Sequence, residues 1–138
     1  MSYLLDTNVV SELRKGERTN RGVARWFAEA ADEELYLSVL TAGELRRGID
    51  SIQRRDREAA AALNRWLHGL IDSFGDRLLP IDQATAMEWG RMNVARSLPV
   101  IDGLLGATAK VHGLTLITRN TKDIAATGVA CLNPFSNG

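Results

Sequence analysis

The sequence predicts an α/β fold in which helices cover both faces of a mostly parallel β-sheet. Short apolar runs that favour β-strands alternate with longer stretches of helical period along the whole chain. These runs are apolar almost throughout, as expected for parallel strands that are buried on both faces. A repeated strand, helix, strand order is typical of sheets covered by helices on each side.

Five short segments are predicted to form the strands of this sheet. Each is three to six residues long and mostly apolar, which is the usual length and character of a buried parallel strand. The predicted strands are residues 3–5, 35–40, 78–81, 114–118 and 129–132.

Two segments between the strands have a clear helical period, with apolar residues at i, i+3, i+4, i+7 and i+8. The first set is Val23, Trp26, Phe27, Ala30 and Ala31, and the second is Leu63, Trp66, Leu67, Leu70 and Ile71. Further helices are predicted from Asp82 toward Arg96 and over 101–112, separated by Pro99, which disfavours a helical Leu98 before it. The remaining helices are expected to be short.

Composition predicts one soluble domain spanning residues 1–138. The chain is 45% hydrophobic and 25% charged, with 17 basic and 17 acidic residues, so net charge gives no argument for a nucleic-acid partner. A local excess of basic residues, which includes Arg14 and Lys15, is the one suggestive feature. No apolar run approaches the ~18 residues needed to span a bilayer, so no membrane role is expected. The single cysteine, Cys131, suits a reducing cytoplasm and is expected to be a small buried residue.

Acidic residues follow several of the predicted strands. Asp6 ends the first strand, Glu44 follows the second, and Asp123 follows the strand from Leu114. Asp102 opens the helix after Pro99. Because ligands of such sheets bind beyond the carboxyl ends of the strands, where the strand order reverses, these four carboxylates are expected to share one location.

Each acid also has a purely structural interpretation. Asp6 and Asp123 suit a helix N-cap or first turn, Thr41 with Glu44 has the spacing of a capping box, and Asp102 complements a helix dipole. Four uncompensated carboxylates at one edge would, however, repel each other unless a cation is bound. Oxygen ligands select Mg²⁺ or Mn²⁺, a type of centre that serves phosphodiester hydrolysis.

Four short motifs together resemble the PIN-domain nucleases, and most closely the VapC-type toxins of bacterial type II toxin-antitoxin pairs. The resemblance extends over nearly the whole chain, and the four motifs occur in the family's order. They are Leu4-Leu5-Asp6-Thr7-Asn8, Glu44-Leu45-Arg46-Arg47-Gly48-Ile49, Asp102-Gly103-Leu104-Leu105-Gly106-Ala107 and Thr118-Arg119-Asn120-Thr121-Lys122-Asp123.

The resemblance implies an α/β/α sandwich with a five-stranded sheet ordered 3-2-1-4-5. It also implies an acidic quartet in which Asp6 and Asp102 are the principal ligands of Mg²⁺ (or Mn²⁺), assisted by Glu44 and Asp123. The polar residues expected to orient these acids are Thr7, Asn8, Thr118 and Asn120.

The function implied by the resemblance is that of a toxin that hydrolyses RNA, either transfer RNA or ribosomal RNA, and thereby inhibits translation and growth. A cognate antitoxin is expected to neutralise it by burying an apolar segment in a groove. A homodimer is also implied, as is a toxin-antitoxin hetero-oligomer that binds operator DNA through the antitoxin.

Three alternatives compete with this interpretation, and the residues disfavour the first. A phosphatase of the haloacid-dehalogenase type needs a second Asp two positions after Asp6, where this chain has Asn8. A phosphoacceptor receiver domain needs paired acids near its start, a phosphorylated Asp in the middle of the chain and a late lysine, and the lysines of this chain are Lys15, Lys110 and Lys122. A catalytically idle module that binds a partner and tethers the complex to DNA would not cleave RNA.

A histidine-based ribonuclease is disfavoured because His68 and His112 both fall in predicted helices.

Overall fold

The computed structural model of the protein describes residues 1–95 and 97–136. Five β-strands and seven α-helices alternate along this part of the chain, joined in places by single 3₁₀ turns. The strands are β1 (Tyr3–Leu5), β2 (Leu35–Ser38), β3 (Leu78–Leu79), β4 (Thr115–Ile117) and β5 (Cys131–Leu132). The helices are α1 (Thr7–Leu13), α2 (Arg21–Glu29), α3 (Val39–Gln53), α4 (Arg57–Phe74), α5 (Gln83–Met92), α6 (Val100–His112) and α7 (Thr121–Ala125).

The strands form one sheet in the order β3-β2-β1-β4-β5, and each neighbouring pair is parallel. This is the predicted 3-2-1-4-5 order. β1 lies at the centre, with β2 on one side and β4 on the other, so the direction of winding reverses between β1 and β4. The predicted fold class and strand order are therefore confirmed.

Two apolar cores, one on each face of the sheet, make the fold a three-layer sandwich. Adjacent residues of β1 point to opposite faces, as they must in a strand. Leu5 is buried against residues of α1 to α4, whereas Leu4 is buried against residues of α5 to α7. Ile117 and Leu116 of β4 divide between the two cores in the same way.

The structure corrects two of the predicted boundaries around the second strand. β2 ends at Ser38, not at residue 40, because the Ser38 hydroxyl accepts a hydrogen bond from the amide of Leu40 and caps α3. The helix that follows has 15 residues, although the helices outside the clearly periodic segments were expected to be short. Its apolar face is sparse, with Leu45 and Ile49 as buried residues, and it is stabilised by packing against α4.

The other predicted elements shift by only a few residues. The strand predicted over 78–81 stops at Leu79, because Pro80 cannot donate a backbone hydrogen bond to a sheet. The helix predicted from Asp82 toward Arg96 ends at Met92, and Arg96 itself lies outside the described residues. Cys131 is half-buried against the second core. In the described ranges, no helix combines the length and the hydropathy that crossing a membrane requires.

Candidate active site

Three of the four predicted acids line one concavity of about 480 Å³ at the carboxyl edge of the sheet. Asp6 directly follows β1, Glu44 lies in α3, and Asp102 lies in the first turn of α6. The concavity adjoins the point where the winding of the sheet reverses, between β1 and β4. This edge is where parallel α/β sheets bind their ligands.

The carboxylate of Asp6 is held from two sides. It is only 8% exposed, and as the N-cap of α1 its Oδ1 accepts a hydrogen bond of 2.7 Å from the amide of Thr7. Its Oδ2 accepts a hydrogen bond of 2.6 Å from the hydroxyl of Thr118, which follows β4. The expectation that Asp6 caps a helix is thus confirmed, and the cap fixes the orientation of the acid.

Burial is the main reason why the pKa of Asp6 is raised above its ordinary value. The hydrogen bonds from Thr118 and Thr7 act in the opposite direction, because they favour the ionised form. The nearby carboxylates of Asp102 and Glu44 raise the pKa further by repulsion. The three acids therefore interact electrostatically, and a cation between them would relieve the repulsion.

Thr7 links α1 to α3 at this site. Its hydroxyl donates a hydrogen bond to Oε1 of Glu44, and its Oγ1 lies 3.2 Å from Oγ1 of the fully buried Thr41. Thr7 thus holds the carboxylate of Glu44 in place. Thr41 was interpreted only as part of a capping box, but Ser38 caps α3 and Thr41 supports Thr7.

The remaining predicted site residues are placed less centrally. Asn8 is exposed and lines the concavity. Asn120 donates its backbone N–H to Oγ1 of Thr118 at 3.1 Å, so it acts through its main chain. Asp123 is exposed in the first turn of α7 and does not line the concavity. His68 and His112 are exposed on α4 and α6, away from the acids.

Sequence reasoning missed part of the wall of this concavity. Besides Arg14 and Lys15, which belong to the basic cluster noted above, the wall contains Glu12, Arg119 and Phe135. The only signal in the sequence that Arg119 belongs to the site was its position inside the motif that carries Asn120. Nothing local in the sequence connects Phe135, near the end of the chain, with an acidic site.

The donor set suits a hard divalent cation. Asp6, Glu44 and Asp102 offer only oxygen ligands, which Mg²⁺ and Mn²⁺ prefer. Within residues 1–95 and 97–136, no three Asp, Glu, His or Cys side chains are close enough to coordinate one ion together. Direct ligation by two carboxylates, with water completing the shell, is the usual mode of Mg²⁺ binding.

The fold is an α/β/α sandwich with acids at the point where the strand order of its sheet reverses. Comparison with known proteins identifies the class of protein that has these features. The family model of the PIN domain matches residues 3–129, and the chain belongs to this family. Within it, the chain groups with the VapC and FitB proteins. It is 33% identical to toxin FitB of Neisseria gonorrhoeae, covering 96% of this chain and 97% of FitB.

Two further relatives agree with this placement. The chain is 32% identical to VapC ribonuclease Y4jK of Sinorhizobium fredii, covering 96% of each protein. Among solved structures, that of FitAB bound to an IR36 DNA fragment superposes with a TM-score of 0.87 at 30% identity, covering 99% of this chain and 97% of the other.

Proposed function

We propose that the protein is the toxin of a type II toxin-antitoxin pair and acts as a metal-dependent endoribonuclease. The observation that carries the proposal is the convergence of Asp6, Glu44 and Asp102 in one concavity of a PIN-domain chain. A relative named as a VapC ribonuclease, similar over nearly its full length, supports RNA as the substrate. Cleavage of transfer RNA or ribosomal RNA in the cytoplasm would inhibit translation and growth.

The proposed reaction is hydrolysis of a phosphodiester bond. Asp6 and Asp102 would hold Mg²⁺, or Mn²⁺ in its place, with Glu44 and Asp123 assisting. Such an ion, when bound, activates water and stabilises the charge that develops on the phosphate and the leaving oxygen. Water adds to phosphorus as the bond to the 3′ oxygen breaks, so the products carry a 5′-phosphate and a 3′-hydroxyl.

The chain's own residues prepare the site before substrate arrives. Thr118 and the amide of Thr7 fix both oxygens of Asp6, so no reorientation of this acid is needed. The Thr7 hydroxyl donates a hydrogen bond to Oε1 of Glu44, and no hydrogen bond to Oε2 occurs within the described residues. Oε2 can therefore accept the proton that the attacking water loses.

A water nucleophile makes the substrate 2′-hydroxyl dispensable. No histidine lines the concavity among the described residues, which disfavours the alternative route through a cyclic phosphate. A 2′-deoxy substitution at the scissile nucleotide should therefore preserve cleavage. Loss of cleavage with unchanged binding would contradict the mechanism.

An apolar groove of about 440 Å³ supports the proposed antitoxin partner. The groove lies on the α1 to α4 side of the molecule, and its lining includes Val10, Leu13, Phe27, Trp66 and Leu70. We assign its occupant as an apolar segment of the cognate antitoxin, since a FitAB assembly of a relative has been solved on DNA. Operator binding would then be a property of the antitoxin within a hetero-oligomer built on a toxin homodimer.

Induced expression of the wild type beside Asp6→Asn tests the proposal. Wild-type expression should arrest growth and produce discrete RNA fragments with 5′-phosphate ends, whereas Asp6→Asn should do neither. Growth arrest that survives the substitution would contradict the nuclease assignment. A catalytically idle binding module would give partner binding with no Mg²⁺-dependent cleavage.

A further inference from the structure

Arg119 lines the acidic concavity, and its guanidinium lies over an aromatic ring. It directly follows Thr118, the residue that holds Asp6, and it is exposed. Its guanidinium carbon Cζ lies 3.9 Å from the centroid of the Phe135 ring, and both side chains line the concavity. A guanidinium stacked at this distance makes a favourable cation-π contact.

The stacked arrangement leaves the hydrogen-bond donors of Arg119 unengaged. Within residues 1–95 and 97–136, Arg119 donates no hydrogen bond and has no carboxylate partner within 4.0 Å. The cation-π contact with Phe135 does not use the N–H groups of Arg119 as donors to an oxygen, so they stay available. The planar fork of a guanidinium is suited to the oxygens of a phosphate.

The segment 133–136 is fixed at the start of α2, and this fixes Phe135. The side chain of Asn20, the N-cap of α2, accepts a hydrogen bond from the amide of Ser136 and donates one to its carbonyl, both at 3.0 Å. The amide of Gly22 donates to the Ser136 hydroxyl at 3.2 Å. We call residues 133–136 the C-terminal strap.

Gly22 is required for the strap to lie so close to α2. A Cβ atom at this position would be 2.3 Å from the carbonyl oxygen of Pro134 and 2.6 Å from the amide nitrogen of Ser136. Both of these atoms belong to the main chain, so the strap could not avoid the clash by rotating a side chain. The strap is therefore held in a fixed position against α2, and Phe135 is held with it beside the concavity.

The charges that line the concavity indicate why a supported arginine is needed there. Four carboxylates and three basic side chains line it, so acids outnumber cations where a polyanion would have to bind. Lys15 is paired with Glu12 at 2.9 Å, which reduces its availability. A phosphate that approaches the acids needs a cation that is not held in an ion pair. Among the described residues that line the concavity, Arg14 and Arg119 both meet that requirement, and Arg119 is the one whose guanidinium lies over an aromatic ring.

We propose that Arg119, supported by Phe135 of the C-terminal strap, binds a backbone phosphate of the RNA beside the bond that is cut. Arg119 is then a substrate-positioning residue, and Phe135 acts through Arg119. The inference rests on the proposed nuclease function and adds the residues that recognise the sugar-phosphate backbone.

RNA binding and cleavage together test the inference. Affinity is measured by fluorescence anisotropy with a fluorescein-labelled single-stranded RNA of mixed sequence, in the Asp6→Asn background so that the RNA stays intact. Arg119→Ala should weaken binding about tenfold, the loss expected for one charge-assisted contact. The slope of log affinity against log salt concentration should become shallower by about 0.7, since one phosphate is no longer neutralised. Arg55→Ala, a turn residue outside the concavity, is the control for loss of charge.

Substitutions at Phe135 separate stacking from simple packing. Phe135→Leu should weaken binding several-fold, whereas Phe135→Tyr keeps an aromatic face and should restore it. The double variant Arg119→Ala/Phe135→Leu should bind no more weakly than Arg119→Ala, because Phe135 acts through Arg119. In the cleavage-competent chain, Arg119→Ala should raise KM more than it lowers kcat.

The outcomes distinguish this inference from the proposed function. If the wild type cleaves RNA but Arg119→Ala matches Arg55→Ala in affinity and salt slope, Arg119 does not bind phosphate and the inference fails alone. Additive losses in the double variant would remove the positioning role of Phe135. A wild type that neither binds nor cleaves RNA would overturn the nuclease assignment itself. Melting temperatures of all variants, compared with the wild type, verify that each one is folded.

Discussion

The hydroxyl of Thr118 donates a hydrogen bond of 2.6 Å to Oδ2 of Asp6, although the two residues are 112 positions apart in the chain. The contact joins the end of the central strand, β1, to the end of its neighbour β4, and it is buried. Because Oγ1 of Thr118 also accepts the amide of Asn120, one hydroxyl connects the first acid of the site to the start of α7.

Removing that hydroxyl should destabilise the protein. Thr118→Val keeps the shape of the side chain but leaves Oδ2 of Asp6 and the amide of Asn120 without a partner. A hydrogen bond to a charged group contributes about 1.5–3 kcal/mol, and the free energy of unfolding should fall by about that amount. Urea denaturation in chelator measures it. Thr118→Ser retains the hydroxyl and should lose less, so equal stability of the two variants would contradict the assigned role.

The raised pKa of Asp6 predicts a pH-dependent effect of Asp6→Asn on stability. The folded state binds the Asp6 proton more tightly than the unfolded state, whose pKa is near the ordinary 3.8. The stability that Asp6 contributes is therefore present below that value and is lost as the pH rises through the folded pKa. In chelator at neutral pH, Asp6→Asn should be more stable than the wild type.

That difference should shrink as the pH is lowered toward 4, which chemical denaturation at a series of pH values can follow. Asp72→Asn, on an exposed position of α4, is the control for removal of one negative charge. A stability difference for Asp6→Asn that stays constant with pH would contradict the assigned cause, because the charge would then not be the source of the effect.

Asp102 and Asp123 should differ in importance for cleavage. Asp102 lines the concavity with Asp6 and Glu44, whereas Asp123 is exposed on α7 outside it. We expect Asp102→Asn to abolish cleavage and Asp123→Asn to lower the rate by roughly 10- to 100-fold, the usual loss for an outlying partner of a metal site. Cleavage rates over a range of Mg²⁺ concentrations test this. Equal inactivity of both variants would contradict the expected difference between the two acids.

Gly22→Ala should release the C-terminal strap while leaving α2 intact. Alanine forms helix better than glycine by about 1 kcal/mol, so any loss of protection must come from the clash with the main chain of residues 134–136. Hydrogen exchange should show the amides of 135 and 136 losing protection. Gly90→Ala in α5, where an added Cβ meets no atom within 4 Å, is the matched control. Unchanged protection in Gly22→Ala would show that the strap does not depend on this contact.

The sequence predicted the parts of the fold whose causes are local. β1 was placed at its observed residues because Tyr3, Leu4 and Leu5 form an apolar run ended by an acid. The period of Leu63, Trp66 and Leu67 located α4 in the same way. In contrast, α3 was underestimated because few of its residues are buried, and its stability comes from contact with α4, which no local pattern reports.

The same distinction applies to the candidate site. The strand ends identified Asp6 and Glu44, and the expectation that Thr7 orients an acid agrees with its hydrogen bond to Glu44. The supporting role of Thr41 and the contact between Arg119 and Phe135 depend on three-dimensional packing between distant segments. Their residue types have many ordinary roles, so the sequence offered no way to single them out.

The position of β1 between β2 and β4 also has a consequence for folding of the chain during its synthesis. A nascent polypeptide still short of Thr118 already contains Asp6, Glu44 and Asp102, yet it lacks both the strand that completes the centre of the sheet and the hydroxyl that seats the first acid. Synthesis must therefore pass Thr118 before β1 can gain its second neighbouring strand and Asp6 its hydrogen bond from Thr118, so the acidic site cannot form on a shorter nascent chain.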